Sequence, residues 1–153
     1  MDSPSAQNFA RPNRFERAFN ALFGSLIGLG LGRSHHYLLL VRGRKTGRLY
    51  SAPIDLLTLD GRRYLVCPRG RSQWVRNAEA AGQVTLKRGA RREPVNIRAV
   101  ADADKPPLLK AYLERFKLAV QRYFPVPAGA PAAAFAAVAA RYPVFEVVET
   151  GEA

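Results

Sequence analysis

Apolar and polar positions change their period several times along the chain, and each change marks an element. Over residues 12–27, Phe15, Ala18, Phe19, Leu22, Phe23 and Leu26 recur at helical spacing while Arg14 and Arg17 lie off the stripe. This predicts an amphipathic helix closed by Gly28, Gly30 and Gly32. Tyr37–Val41 is a short, fully apolar run and Leu49–Leu59 a longer one rich in β-tolerant residues, so both predict strands. Pro53 in the second run cannot donate to a ladder and predicts a bulge or a sheet edge. Asp60-Gly61 predicts a tight turn into a returning strand over Tyr64–Cys67. Ser72 is placed to cap a short helix over Gln73–Ala81, with Gly82 as its stop. Gln83–Lys87 and Glu93–Val100 predict a second hairpin around Arg88-Gly89-Ala90. A helix over Lys105–Tyr123 follows, opened by Asp104 with prolines in its first turn. Pro125, Pro127 and Gly129 then break the chain ahead of an alanine-rich helix over Pro131–Arg141 and a last strand over Val144–Val148.

Antiparallel hairpins with one helix inserted midway and further helices gathered late predict an α+β fold. Its expected form is a barrel of mostly antiparallel strands with an N-terminal helix and peripheral helices. Residues 1–11 and 150–153 read as tails around a single domain over 12–149. One cysteine, Cys67, excludes an intrachain disulfide. The chain's two histidines, His35 and His36, are neighbours, leave no Cys/His zinc set and read as a surface pair at the start of a strand. Met1–Asn8 holds one acid and no base, unlike a secretory signal, and a cytosolic location is expected. The uncharged stretch Ala18–Gly32 is 15 residues long with four glycines, too short and broken to span a bilayer. The first helix either packs on the core or rests at a membrane interface with Arg11, Arg14 and Arg17 toward the headgroups.

Charge changes the picture next. Lys and Arg total 24 against 12 acids among 153 residues, a formal net charge of +12. Between Arg42 and Arg98 there are 14 bases and four acids, so nearly all the excess lies in that stretch. Such a field attracts anions, whether nucleic acid, an anionic membrane or an acidic small molecule. Single-strand binders interleave aromatic and basic residues. Between Arg62 and Arg98 only Tyr64 and Trp74 are aromatic, thin for a stacking platform.

Familiar catalytic patterns are missing. Gly28-Leu29-Gly30-Leu31-Gly32 has the wrong spacing for a dinucleotide fingerprint and follows a helix rather than a strand. Cys67 has no base placed to activate it, and the carboxylates form no spaced acid/base pair. No catalytic side chain and no metal ligand set is therefore assigned. The sharpest local signal is Arg42-Gly43-Arg44-Lys45-Thr46-Gly47-Arg48 between two strands. Its glycines permit a tight turn and close backbone approach, its amides and the Thr46 hydroxyl can donate to an oxyanion, and Arg44 and Lys45 add charge.

Taken together, Leu38–Gly47, Tyr50-Ser51-Ala52-Pro53-Ile54, the Asp60-Gly61 turn, Ser72-Gln73-Trp74-Val75-Arg76-Asn77 and Val84-Thr85-Leu86 resemble the deazaflavin-dependent nitroreductase family over residues 12–100. The resemblance implies a split β-barrel of the FMN-binding type that uses coenzyme F420, with FMN as the alternative ligand of the same groove. It implies that Arg44, Lys45, Thr46 and Gly47 hold the anionic tail of the cofactor beside Pro53. Pro68, Arg69 and Gly70 would then lie along the deazaflavin ring, and Trp74, Val75, Arg76 and Asn77 at its other flank. The loop before the tryptophan is shorter than the family's usual one, and Tyr123 is the nearest equivalent of its acceptor-pocket tyrosines. The implied activity is hydride transfer from F420H2 to a quinone, a nitroaromatic or another activated double bond. A homodimer and peripheral contact with the inner face of the cell membrane are further expectations. A basic nucleic-acid-binding module is the reading from a different class.

Overall fold

The computed structural model describes residues 35–148. The helix expected over 12–27, its closing glycines and both tails lie outside the described residues. The strands are β1 (His36–Arg42), β2 (Leu49–Asp55), β3 (Leu57–Leu59), β4 (Arg62–Val66), β5 (Gln83–Arg88), β6 (Arg91–Ala99) and β7 (Val144–Val148). The α-helices are α1 (Gln73–Ala81), α2 (Pro106–Arg115) and α3 (Lys117–Val120), and 3-10 turns occupy Asp102–Asp104, Gln121–Tyr123 and Ala132–Arg141.

All strand pairs are antiparallel and form one seven-stranded sheet in the order β2-β1-β5-β6-β7-β4-β3. Strands β2 and β3 stand at opposite edges of that sheet, yet Leu56 alone separates them in the chain. The sheet must therefore curl until its two edges approach, which makes the split barrel. Leu56 helps by donating its N–H to the His35 carbonyl at 2.8 Å, prolonging the β1–β2 ladder. The register of that ladder runs unbroken from His36↔Asp55 to Arg42↔Leu49 through Leu38↔Pro53. Pro53 is thus accommodated by an edge strand, with no bulge.

The predicted turns hold. Asp60 and Gly61 take φ of 53° and 77° and close the β3–β4 hairpin with two residues, the left-handed pair that matches strand twist. Gly82 ends α1 in the left-handed region, its N–H on the Ala78 carbonyl at 2.8 Å.

Two apolar clusters explain the continuous run of β4. Leu65 and Cys67 face the barrel interior with Leu39, Val75, Leu86 and Phe145, while Tyr64 and Val66 face a second cluster under α2 and the alanine-rich segment. A strand covered on both sides loses its alternation.

Five local expectations are corrected. The single strand expected over Leu49–Leu59 is two, β2 and β3, divided at Leu56 and set at opposite edges of the sheet. Ser72 has N-cap backbone geometry but makes no capping bond with its side chain; its Oγ lies 3.4 Å from the Cys67 Sγ instead. Asp104 does not cap the late helix: it ends a 3-10 turn, and the N-cap position of α2 is Lys105. That lysine is buried, with Nζ 2.7 Å from Asp102 and 3.3 Å from the Ala139 carbonyl. The helix expected over Lys105–Tyr123 breaks at Phe116, whose φ of −118° and ψ of 29° leave the helical region. Its buried ring packs 4.7 Å from His35 and 5.3 Å from Tyr112, so tertiary contact overrides the local period. Ala132–Arg141 winds as 3-10 turns rather than an α-helix, and its two large apolar anchors, Phe135 and Val138, stand three residues apart, the spacing that eclipses in that geometry.

Four arginines away from the groove are engaged by carboxylates. Arg63 binds Glu93 through two bonds of 3.0 and 2.7 Å, Arg62 and Arg98 share Glu146, and Arg71 meets Glu79. Hydrogen bonds from Arg63 hold the Glu93 carboxyl below the usual carboxylate range. A depressed folded-state value adds stability above the unfolded pKa, and that share is lost as pH falls through the folded value. Arg63→Ala is expected to remove this share, so its stability difference from the parent shrinks as unfolding curves are taken from neutral pH into acid.

Candidate functional site

The turn after β1 is built by its glycines. Gly43 donates to the Arg48 carbonyl at 2.7 Å and accepts from Gly47 N–H at 3.0 Å, which folds the segment back on itself. Gly47 sits at φ 76°, open to glycine without strain. At Gly43 a Cβ would come within 2.6 Å of the Tyr50 ring, so the missing side chain lets that ring lie against the turn. Thr46 Oγ1 accepts from Arg48 N–H at 3.2 Å and stands 3.4 Å from the Tyr50 hydroxyl.

A second element fixes where the turn points. Asn77, on the inner face of α1 and buried, accepts at Oδ1 from the Arg44 N–H at 3.1 Å and from the Arg44 guanidinium at 2.7 Å. Gln73, one turn earlier on α1, accepts from the same guanidinium at 3.1 Å. Both acceptors are neutral amides, so Arg44 is oriented without losing its charge. Lys45 makes no ion pair among the described residues. Positive charge is thus left for a ligand at this turn, whereas the carboxylate-paired arginines elsewhere have theirs largely neutralised.

The turn opens onto a groove of about 890 Å³ that runs along edge strand β2 to the α2–α3 region. Arg44, Lys45 and Thr46 line it at one end, and Pro53, Pro68, Arg69, Trp74, Asn77 and Tyr123 line it further on. Four sequence-assigned residues fall outside its lining. Gly47 serves the turn backbone, and Gly70, at φ 91°, shapes the tight loop after β4. Val75 is fully buried in the barrel core, one position round α1 from Trp74 and therefore on a different face. Arg76, likewise on α1, does not reach the groove.

Residues that the sequence reading did not assign also line the groove, among them Tyr50, Asp55, Gln73, Tyr112, Val120 and Arg122. Tyr50 and Asp55 were accessible in principle, since they flank Pro53 on the same strand; Tyr112 and Val120 are brought in only by the docking of α2 and α3. Tyr123 lies with its ring 4.8 Å from the Arg122 guanidinium and 5.9 Å from that of Arg69, and its hydroxyl accepts from Arg122 at 2.8 Å. Burial pushes the Cys67 thiol up, against the Ser72 hydrogen bond, so Cys67 is a neutral wall of the groove. Burial also pushes Tyr112 well above the usual phenol range. Of the second basic hairpin, Arg88 has a structural partner in the His36 carbonyl at 3.0 Å.

A long groove with a cationic turn at one end, further arginines along it, aromatic and aliphatic walls, and no acid/base pair beside the turn fits an anionic, tailed, planar ligand. Solved structures share the fold at low sequence identity. An F420-H2 dependent reductase (FDR-A) matches with TM-score 0.50 and 18% identity over 75% of this chain and 95% of its own. A putative pyridoxamine 5'-phosphate oxidase from Listeria innocua matches with TM-score 0.51 and 10% identity over 84% and 94%. HutZ, a heme storage protein from Vibrio cholerae, matches with TM-score 0.55 and 12% identity over 92% and 93%. The ligands named for these three differ, so the fold does not select one. No curated protein sequence matches the chain. The family model for F420H(2)-dependent quinone reductase does match, over residues 13–123. Because that match covers most of the chain and includes both the cationic turn and the helix that holds it, the chain belongs to the F420H(2)-dependent quinone reductase family and is an F420H2-dependent oxidoreductase.

Proposed function

We propose that this reductase passes a hydride from F420H2 to a quinone, with nitroaromatics and other activated double bonds as further acceptors, in the groove along β2. The observation that carries the reading is the Arg44 guanidinium, aimed by the neutral Asn77 and Gln73 amides at 2.7 and 3.1 Å and left with its charge. A phosphodiester and glutamate tail is the kind of ligand such a site favours. In this reading Arg44, Lys45 and the Thr46 hydroxyl hold the tail, with Gly47 setting the turn. Pro53, Pro68, Arg69 and Trp74 flank the ring, with Gly70, Val75, Arg76 and Asn77 supporting them. Tyr123 and Arg122 meet the acceptor.

When bound, the deazaflavin supplies the hydride. What the chain contributes is placement, exclusion of water by Trp74, Tyr112 and Val120, and donors for charge that develops on the acceptor. The solved neighbour described as a domain-swapped dimer supports a homodimer as part of the reading. No described helix is long and apolar enough to cross a membrane. The reading keeps the enzyme in the cytoplasm, peripheral to the inner face of the membrane, where lipid-soluble quinones reside.

Fluorescence titration tests the proposal directly. F420 is expected to bind at low salt, to weaken as salt screens the tail contacts, and to exceed FMN in affinity. A purified protein that retains FMN and ignores F420 would sink it.

A further inference from the structure

Asp55 is the sole carboxylate among the residues that line the groove, where Arg44, Lys45, Arg69 and Arg122 give positive charge. It ends β2, six residues beyond Leu49. At about 3.3 Å per residue it stands roughly 20 Å along the strand from the cationic turn. An anionic tail fixed at Arg44 and Lys45 would therefore leave Asp55 toward the reacting end. Its carboxylate does not stand alone. His36 Nδ1 lies 2.7 Å from Asp55 Oδ1 and His35 Nε2 lies 3.6 Å from the same oxygen. The two imidazoles are 4.2 Å apart between centroids, and both histidine side chains keep part of their surface in solvent.

We infer that Asp55, positioned by His36, donates the proton that completes reduction of the acceptor at the end of the groove remote from the cationic turn. This rests on the reductase reading above. Hydride addition to a quinone forms one new bond to hydrogen with an electron pair and leaves an oxyanion. Breaking the O–H bond of the Asp55 carboxyl supplies that oxyanion with a proton, which leaves a carboxylate facing His36. The reduced deazaflavin sheds one proton as it is oxidised, and solvent returns one to the pair through the partly exposed imidazoles, so the turnover balances without another reagent. Burial raises the Asp55 carboxyl above its usual range, opposed by His35. The titratable and charged groups beside it are His35 and His36 from the start of β1 and Tyr112 from α2; Cys67 after β4 and Arg69, Arg122 and Tyr123 share the groove with it.

The chain holds only two histidines, so imidazole NMR reports on this site alone. In ligand-free protein, Asp55→Asn is expected to lower the titration midpoint of at least one imidazole. F420 affinity should stay within about twofold. Single-turnover oxidation of F420H2 by a soluble naphthoquinone should slow by about 10²-fold or more, the usual share of a general acid. The parent is expected to show a fall in rate at high pH and a solvent deuterium effect, and both should vanish in the variant. His36→Gln should give a smaller loss with the pH profile displaced, and it carries the test if Asp55→Asn fails to fold. Parental rate and pH profile in a variant that binds F420 normally would overturn the inference, as would unchanged histidine titration. Loss of parental activity on chelation, restored by zinc, would also overturn it by making the three residues a metal site. A parent protein that binds no F420 would remove the reductase reading itself, a result separable from the others because it appears before any variant is made.

Discussion

Replacing Arg44 and Lys45 together by alanine is expected to weaken F420 binding by about 10²–10³-fold while the fold survives. Each charge-assisted bond to an anion is worth about 1.5–3 kcal/mol, and every 1.4 kcal/mol is tenfold in affinity. The single variants should separate two roles. Lys45→Ala removes charge from a side chain with no ion pair among the described residues, so its effect should fade at high salt. Arg44→Ala also removes the guanidinium that bonds Asn77 and Gln73 at 2.7 and 3.1 Å, so part of its loss should persist in salt because the turn is less firmly held against α1. Arg44→Lys should recover less than charge alone would predict, since an ammonium cannot reproduce the forked donation to two amides. Equal affinities of the double variant and the parent, measured by fluorescence at low salt, would place the tail elsewhere.

Phe135→Ala should cost about 3–5 kcal/mol of stability, the range for removing a fully buried aromatic side chain. Phe135 has no exposed surface and packs 6.2 Å from Phe124, which in turn stacks 4.3 Å from Tyr142. It is the main anchor of an alanine-rich segment that otherwise offers little to hold it on the sheet, so the loss is not readily filled by neighbours. A domain with about 5–15 kcal/mol in total would lose a large share. Urea unfolding should show the midpoint falling with the slope unchanged. The same truncation should also reach function, because the cluster under Phe135 includes Tyr112 and Val120, which line the groove. A comparable truncation at exposed Leu118 should leave both stability and ligand binding near the parent.

The local chemistry of turns was legible because it depends on a few residues. Asp60-Gly61 and Gly82 announce left-handed backbone, and Pro53 announces an edge or a bulge, since each follows from what a single residue can or cannot adopt. The cationic turn and the tryptophan helix were legible as two motifs for the same reason. Their union was not: the Arg44 bonds to Asn77 cross 33 residues. Nothing local encodes that distance; it arises because α1 packs against the barrel of which β1 is a strand. The resemblance placed Val75 and Arg76 beside Trp74 at the ring's flank; on α1 Val75 is buried in the barrel core and neither residue lines the groove. Phe116 shows the opposite conflict, a residue in phase with a helix whose burial against His35 and Tyr112 breaks it.

Charge followed the same division. The excess between Arg42 and Arg98 is a property of composition and called for an anion. Which cations remain for that anion was decided by tertiary pairing, because Arg62, Arg63, Arg71 and Arg98 meet carboxylates while Arg44 meets amides. The sequence by itself determined the turns, most of the strands and the anionic character of the ligand, all consequences of side-chain type and short-range geometry; the division of 49–59 into two edge strands was not among them. Only the tertiary structure decided the groove, the neutral clamp on Arg44 and the meeting of Asp55 with His36, because a curled sheet alone brings such distant residues to one surface.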